Sequence, residues 1–140
     1  MMSNTRFAVA VHVLTVISLD ETRPISSQLI ASSVGTNAAL IRRLLISLND
    51  AKITSSERGA SGGVRLARPA SSITLFDVWR AVDEEGQLFR VHPTSNPQCP
   101  VGRNIEGLLG GVLSSTQCMV EAVLGKVTIR DLVAKVEIAG

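Results

Sequence analysis

The sequence predicts a mainly α-helical fold with one small β-hairpin wing: a winged helix-turn-helix followed by a long C-terminal helix. Two short apolar segments are separated by a glycine, as two helices that cross at a tight turn require. A glycine-rich hairpin follows directly, which is the order of elements in a winged helix. A long amphipathic segment then lies beyond this module and predicts a dimerisation helix.

The first two helices are delimited by polar residues and proline. Residues 5–19 form an apolar segment of helical length, which we expect to be a buried first helix. The polar cluster and the proline at 20–24 end that helix. A second helix begins at Ser26 or Ser27, either of which can cap it, and ends at residues 34–35.

Ala31, Gly35 and Ile41 have the spacing of a helix-turn-helix. A small residue inside the first helix permits a close crossing, and glycine accepts the left-handed backbone of the turn. A β-branched residue then packs the following helix back onto its partner. We expect Thr36 to cap this third helix. Its apolar residues, at helical spacing, are Leu40, Ile41, Leu44, Leu45 and Leu48.

The wing is predicted from two short strands that flank a glycine-rich loop. The strands span 53–57 and 64–68, the loop spans 58–63, and a proline follows the second strand. Thr74 then begins another helix, with Asp77 as its partner in a capping box. The apolar face of that helix is formed by Leu75, Val78, Trp79 and Val82.

The segment after this module predicts a loop and then a helix that needs a partner surface. Residues 84–100 are rich in proline and glycine, and residues 102–124 carry apolar side chains at helical spacing. Three glycines inside that helix each cost about 1 kcal/mol relative to alanine. A second copy of the chain or the first helix of the same chain can supply the partner surface, and we favour the second copy. The predicted dimer interface comprises Ile105, Leu108, Leu109, Val112, Leu113 and Val120.

Positive charge is concentrated in the N-terminal half, although the net charge of the chain is only +2. Residues 1–70 carry eight basic and four acidic side chains, whereas residues 71–140 carry six basic and eight acidic ones. Six of the bases lie within 42–68, alongside two acids. Such a surface suits a polyanion, although charge alone is equally consistent with an ordinary solvated face.

Together with the helix-turn-helix, this positive charge predicts DNA binding, because the second helix of that motif enters the major groove of DNA. Asn37 can recognise adenine, and Arg42 or Arg43 can recognise guanine or bind phosphate. Arg58, at the wing tip, can enter the narrow minor groove. For Arg65 and Arg68, phosphate contact and plain solvation remain equal alternatives. The predicted DNA-binding residues are Thr36, Asn37, Ala38, Ala39, Arg42, Arg43, Arg58, Gly59, Ser61, Gly62 and Arg65.

Other classes of protein receive little support. No apolar run reaches the roughly 18 residues of a membrane helix, and the N-terminal segment lacks the features of a signal peptide. Cys99 and Arg103 are four residues apart, but a phosphatase loop needs arginine at position 105, which is isoleucine. Paired catalytic carboxylates and a Cys-x-x-Cys motif are also lacking, which argues against a small thiol enzyme. A dimeric interaction module without DNA binding is the other alternative, and the basic wing argues against it.

Five stretches of this sequence resemble the Rrf2 family of bacterial regulators, of the IscR, NsrR and CymR type. They are TRFA at 5–8, IRRLL at 41–45, RGASGGVRLARP at 58–69, ITLFDVWRAV at 73–82 and CPVGR at 99–103. The wing string is the most specific, and the last stretch is most similar to the YwnA-like branch. The resemblance implies a homodimeric repressor whose long C-terminal helices cross, bound to a palindromic operator.

Some members of this family hold an iron–sulfur cluster on three closely spaced cysteines, and this sequence departs from that pattern. It has only Cys99 and, 19 residues later, Cys118, with His92 as a third scattered candidate ligand. We therefore expect neither a metal nor another cofactor. Cys99 is the candidate for a redox response, since Arg103 can favour its thiolate. Cys118 is expected to be a small buried apolar residue.

The sequence thus predicts a cytoplasmic, sequence-specific DNA-binding regulator with an unidentified effector. Its partners are double-stranded operator DNA and a second copy of itself, with no membrane. The predicted divisions are a DNA-binding domain at 1–83, a connecting loop at 84–101, and the dimerisation and C-terminal helices at 102–140.

Overall fold

The computed structural model describes residues 5–139 and confirms the predicted fold class: a mostly helical chain with one two-stranded antiparallel hairpin. The elements are α1 (Thr5–Leu19), α2 (Ser27–Val34), α3 (Ala38–Asp50), β1 (Thr54–Glu57), β2 (Gly63–Leu66), α4 (Leu75–Val82), α5 (Pro100–Leu124) and α6 (Ile129–Ala139). A 3₁₀ turn at Ala70–Ser72, which the sequence did not predict, joins β2 to α4.

Local capping fixes where the shorter helices begin. Ser26 caps α2 by accepting a hydrogen bond from the Leu29 N–H. The predicted capping box of α4 is present: Thr74 Oγ1 accepts from the Asp77 N–H at 3.0 Å, and Asp77 Oδ2 accepts from the Thr74 N–H at 3.0 Å. Both starts therefore follow from side chains adjacent in the sequence.

The cap of α3 is Asn37, and the expectation of Thr36 is wrong. Asn37 Oδ1 accepts the Leu40 N–H at 2.9 Å. Thr36 belongs instead to the end of α2, because its N–H donates to the Ala31 carbonyl at 3.0 Å, beside the Gly35 N–H at 2.8 Å. Gly35 closes this motif in the left-handed conformation, with φ of 84°.

The core lies where α1, α2, α3, α4, α6 and the hairpin meet. Leu14, Ile30, Ile41, Leu48 and Val78 are among its fully buried side chains. Aliphatic residues fill it almost entirely, with Trp79 buried nearby. The core therefore sits directly behind the helix-turn-helix and holds α2 and α3 in place.

The C-terminal helix returns to this core. Ile129 and Val133 of α6 are fully buried, and α6 packs against α1. Two backbone hydrogen bonds of 2.9 Å hold the start of α6 against the chain around the start of α4. The Ile129 N–H donates to the Ile73 carbonyl, and the Leu75 N–H donates to the Val127 carbonyl. The division of the chain at residue 102 stays a prediction, but this packing joins α6 to the N-terminal core.

Helix α5 differs from every other α-helix in this structure, because none of its 25 residues is buried. The alternative in which α1 covers it does not occur. By length and composition α5 could cross a membrane, since its most apolar 18-residue window has a mean hydropathy of 1.3. The expectation that no segment reaches that level is therefore wrong. Several large apolar side chains of α5, among them Leu108, Val112 and Met119, are exposed in the described chain.

The hairpin is tied to the helix-turn-helix by a third extended segment. Strands β1 and β2 pair antiparallel, with Thr54 opposite Leu66 and Ser56 opposite Val64. Ile25, just before α2, exchanges two backbone hydrogen bonds with Val64, at 2.9 and 2.8 Å. A Cβ atom at Gly63 would lie 2.5 Å from the Ile25 carbonyl oxygen, so this close approach requires glycine. The wing thus has a fixed position relative to α2.

Candidate DNA-binding surface

The axes of α2 and α3 meet at 108° across a three-residue turn. This angle falls in the range of a DNA-binding helix-turn-helix. Ala31 is buried at the crossing, and Ile41 is fully buried where α3 packs back. The structure therefore places the small residue, the glycine and the β-branched residue as their spacing predicted.

Helix α3 separates an apolar face from a solvent-facing one. Its buried side chains are Ile41, Leu44, Leu45 and Leu48. Ala39, Arg42, Arg43 and Ile46 lie at steps of three and four residues and are exposed. We call these four residues the recognition face. Arg42 and Arg43 form no ion pair or hydrogen bond with any described residue, so both guanidinium groups are available to a ligand.

The residues at the start of α3 differ in what they can offer to DNA. Asn37 is exposed, but its side-chain oxygen is engaged in the helix cap. Recognition of adenine uses both the oxygen and the nitrogen of an asparagine, so the cap competes with that predicted role. Thr36 and Ala38 are half-buried, whereas Ala39 is exposed.

The wing tip presents a small, open loop with one cation. Arg58, Gly59 and Ser61 are exposed, and Arg58 has no ion-pair partner among residues 5–139. Gly59 adopts a φ of 106°. Gly62 is half-buried, and a Cβ atom there would lie 2.3 Å from the Glu57 carbonyl oxygen. The loop therefore needs glycine at both positions to hold Arg58 at its tip.

Two other arginines of the hairpin are bound within the chain. Arg65 forms an ion pair with Glu57 at 2.7 Å and donates to the Glu21 carbonyl at 3.1 Å. Arg68 contacts Asp77 at 3.1 Å and also the Ser72 carbonyl. Arg68 therefore has a structural role within the chain. This role differs from both alternatives that the sequence left open, phosphate contact and plain solvation. Arg65 has partners that compete with its predicted contact with DNA.

The Arg68 contact also acts on the carboxyl group of Asp77. Partial burial opposes its ionisation, but the N–H and hydroxyl of Thr74 and the Arg68 guanidinium donate to the carboxylate. These hydrogen bonds outweigh burial and hold the pKa of Asp77 below its ordinary value. The negative charge that caps α4 is thereby maintained.

An exposed apolar stripe runs along α5. It contains Val101, Leu108, Val112, Met119 and Val123, whose exposed fractions are 62, 65, 62, 71 and 62%. Their steps of seven and four residues repeat every 11 residues, or about 3.67 per turn, so the stripe runs nearly straight along the helix. We call these five residues the interface stripe.

The predicted dimer residues only partly coincide with the interface stripe. Leu108 and Val112 belong to it, and Leu109 beside it is 40% exposed. Ile105, Leu113 and Val120 are half-buried. The sequence prediction missed Val101 because it began the helix near residue 102, whereas α5 begins at Pro100.

Leu113 instead faces a groove between α5 and the connecting loop. The groove has a volume of about 760 Å³, and its lining includes Phe89, Arg90 and Cys118. Gln117 fastens the loop to the helix: its Oε1 accepts the Leu88 N–H at 3.1 Å, while its Nε2 donates to a loop carbonyl. Cys118 is exposed here, so the expectation of burial is wrong, because no segment of the described chain packs over it.

Cys99 is the N-cap residue of α5 and is exposed. The backbone N–H groups of Gly102 and Val101, at the start of α5, lower the pKa of its thiol. The expected contribution of Arg103 is not among the causes. Because α5 is continuous, Cys99 and Cys118 lie about 28 Å apart along its axis. A disulfide within one chain is therefore excluded, since its Cα atoms must lie within about 7 Å.

The family model for Rrf2, described as an iron-dependent transcriptional regulator, matches residues 3–135. YwnA of Bacillus subtilis strain 168, which is named as an HTH-type transcriptional regulator, is 40% identical over 131 residues. That match covers 94% of this chain and 96% of YwnA. Protein aau3 of Rhizobium meliloti strain 1021 is 33% identical over 104 residues, covering 74% of this chain and 66% of aau3.

Solved structures share the fold. A structure described as that of a DNA-binding protein has 36% identity and a TM-score of 0.72, covering 91% of this chain and 97% of that one. CymR, the global cysteine regulator of B. subtilis, has 20% identity and a TM-score of 0.73, covering 96% and 98%. IscR of T. potens has 21% identity and a TM-score of 0.76, covering 99% and 90%.

The iron in the family description does not fit the donor groups of this chain. Among residues 5–139, no group of three His, Cys, Asp or Glu side chains is close enough to hold a metal ion. An iron–sulfur cluster usually takes four protein ligands, mostly thiolates, and the two cysteines lie at opposite parts of one helix.

The family and its relatives are transcriptional regulators rather than enzymes. This chain belongs to the Rrf2 family of DNA-binding transcriptional regulators.

Proposed function

We propose that this chain is a cytoplasmic repressor that binds a palindromic operator as a homodimer and responds to oxidants through Cys99. The observation that carries the proposal is the pairing of two exposed surfaces: a cationic recognition face on α3 and an uncovered interface stripe on α5. The first suits DNA, and the second suits another copy of the same helix. The corresponding divisions are the DNA-binding domain at 1–83, the connecting loop at 84–101 and the dimerisation and C-terminal helices at 102–140.

In this proposal α3 enters the major groove through Ala39, Arg42 and Arg43, and Arg58 of the wing enters the adjacent minor groove. The contact surface is completed by the remaining predicted residues of the turn and the wing: Thr36, Asn37, Ala38, Gly59, Ser61, Gly62 and Arg65. Arginines bound to phosphate contribute to every sequence alike, while an arginine bidentate to guanine discriminates between bases by about 1–3 kcal/mol. The absence of intramolecular partners for Arg42, Arg43 and Arg58 among the described residues supports these assignments.

Dimerisation through α5 gives the protein the two-fold symmetry that a palindromic operator requires. If the interface stripes of two chains pack together, two recognition helices are held by one rigid pair of α5 helices. A two-fold protein then matches a palindrome whose half-sites lie about 34–36 Å apart, one turn of DNA. Bound across a promoter, such a dimer prevents access of RNA polymerase, which makes repression the expected outcome.

The test of DNA binding uses operator selection from random duplexes, followed by fluorescence anisotropy on the selected site. The triple variant R42A/R43A/R58A should lose most of the affinity. The matched control R23A/R90A/R130A removes three arginines that are ion-paired within the chain and lie outside the proposed contact surface. If the first variant binds as tightly as the wild type, the assignment is wrong. If the wild type shows no salt-sensitive binding at all, the chain is an interaction module instead.

The redox response rests on Cys99, whose exposed thiol at the N-terminus of α5 has a lowered pKa. The Cys99 thiolate attacks one oxygen of hydrogen peroxide, the O–O bond breaks and hydroxide leaves. The sulfur is thereby oxidised to a sulfenic acid and the peroxide is reduced. A change at this position alters the start of α5 and hence the spacing of the two recognition helices.

The oxidant test compares wild type, C99S and C118S by mass spectrometry and gel shift, with and without hydrogen peroxide. Wild type and C118S should gain one oxygen on Cys99 and change their affinity for the operator, while C99S should not respond. Full affinity of wild type after proven oxidation would reject the switch.

The cytoplasmic location predicts that the native protein stays in the supernatant when membranes are sedimented, whereas recovery with the membranes would contradict it.

A further inference from the structure

We propose that Arg6, in the first turn of α1, is an additional phosphate-binding residue, so that the DNA-binding surface extends beyond the helix-turn-helix and the wing. This inference rests on the proposed function. It adds a contact that lies more than 30 residues before α3 and outside the predicted set. The contact is with the sugar-phosphate backbone rather than with a base.

The arginines of the described chain differ in their partners. Five are ion-paired with a carboxylate: Arg23, Arg65, Arg68, Arg90 and Arg130. Arg80 stacks over Phe76, with 5.6 Å between its guanidinium carbon and the ring centre. Arg6 has no carboxylate partner among residues 5–139, and the same holds for the proposed DNA-binding residues Arg42, Arg43 and Arg58 and for Arg103 in α5. The positive charge of Arg6 is therefore not neutralised by a described carboxylate.

A neutral side chain of the recognition helix holds Arg6. The Nη2 atom donates to Ser47 Oγ at 2.9 Å, although the two residues are 41 positions apart in the sequence. A serine hydroxyl orients the guanidinium without cancelling its charge. Because arginine carries five N–H donors, most of them stay available after this bond. The contact fixes the cation against α3 and leaves it exposed.

Arg6 and Arg43 line the same cleft. It has a volume of about 290 Å³ and an apolar floor that includes Val9, Leu40 and Leu44. Arg43 is one helical turn before Ser47, so the two cations lie side by side along one flank of α3. The first turn of α1 holds no acidic residue that would oppose an anion.

A phosphate of the DNA strand beside the major groove fits this arrangement. When α3 lies in the groove, one of its flanks faces a sugar-phosphate wall, and paired guanidinium groups bind phosphate oxygens well. An acidic protein surface could also meet two arginines. The contact with α3 favours DNA, because any ligand reaching Arg6 also meets the recognition helix.

The experiment measures binding of wild type, R6A, R6K and R23A to two 30-base-pair duplexes of unrelated sequence, across a series of salt concentrations. Each lost phosphate contact reduces the slope of log K against log salt by about 0.9. A dimer loses two contacts, so R6A should have a slope smaller by about 1.8, equally on both duplexes. R6K should keep the wild-type slope. R23A should behave as wild type, because Arg23 is exposed and paired with Asp20.

Folding is checked by thermal unfolding of each variant, which should be unchanged because Arg6 is exposed. If wild type binds with a steep salt dependence and R6A keeps the same slope, this inference is wrong while the proposed function stands. If R6K loses as much as R6A, the effect is not electrostatic and the inference is also wrong. A wild type without salt-dependent binding would overturn the proposed function itself.

Discussion

Helices α1 and α5 are both rich in apolar residues, yet their surroundings differ completely. Helix α1 has 15 residues and buries five of them, among them Val13, Leu14 and Ile17. Helix α5 has 25 residues and buries none. Burial of an aliphatic side chain contributes about 1.5–3 kcal/mol, so α1 is stabilised by its own chain much more than α5 is. The comparison shows that similar hydropathy can serve folding in one helix and assembly in another.

The largest expected effect concerns assembly through α5. The substitution V112E places a charge at the middle of the interface stripe, and an unpaired buried charge is strongly unfavourable at an interface. We expect the dimer to dissociate, so that light scattering reports half the wild-type mass. The control S114E changes an exposed residue two positions later, nearly on the opposite side of the helix. If V112E keeps the wild-type mass, the interface stripe does not form the dimer.

A second prediction separates the stability of the two helices in the V112E background. Leu14→Ala in α1 should lower the free energy of unfolding by about 2–5 kcal/mol, because it leaves a cavity in the core. Leu108→Ala in α5 should change it by less than about 0.5 kcal/mol, since that side chain is 65% exposed. Urea unfolding of both variants measures the difference. Equal losses would mean that α5 is packed within its own chain.

The turn between α2 and α3 provides a third, smaller effect. Gly35→Ala places a side chain at a φ of 84°, which costs about 1–2 kcal/mol, although the surrounding space is open. Gly110→Ala in α5 should instead be neutral or stabilising in the monomeric background, because alanine is the better helix former. Thermal unfolding of the two variants measures this contrast. A stabilising Gly35→Ala change would contradict the left-handed conformation of the turn.

The smallest expected effect is a pH dependence of the free energy of unfolding that arises from the carboxyl group of Asp77. The pKa of Asp77 is lower in the folded state than in the unfolded state, so its ionised form stabilises the fold. That contribution is fully present above the unfolded pKa and is lost as the pH falls through the folded pKa. In D77N the stability should therefore decline less than in wild type between about pH 5 and 3. Parallel declines in urea unfolding would show that the Thr74 and Arg68 contacts do not form in solution.

Much of the fold could be predicted from residues close together in the sequence. The bounds of α1, the crossing at Ala31, Gly35 and Ile41, and the capping box of α4 all agree with the structure. Each depends on periodicity or on contacts within one or two turns. The cap of α3 shows the limit of such reasoning: Thr36 and Asn37 are both good caps, and the hydrogen bonds that end α2 decide between them.

The sequence by itself determined the order of elements, the glycine positions and the presence of a basic N-terminal half, because these depend on local sterics and composition. Only the tertiary structure decided which cations remain available. Arg65 reaches Glu21 across 44 positions, Arg68 binds Asp77, and Arg6 lies on Ser47. It also decided that α6 joins the core while α5 buries none of its residues. Charge pairing and burial depend on distances between segments remote in sequence, and folding alone fixes those distances.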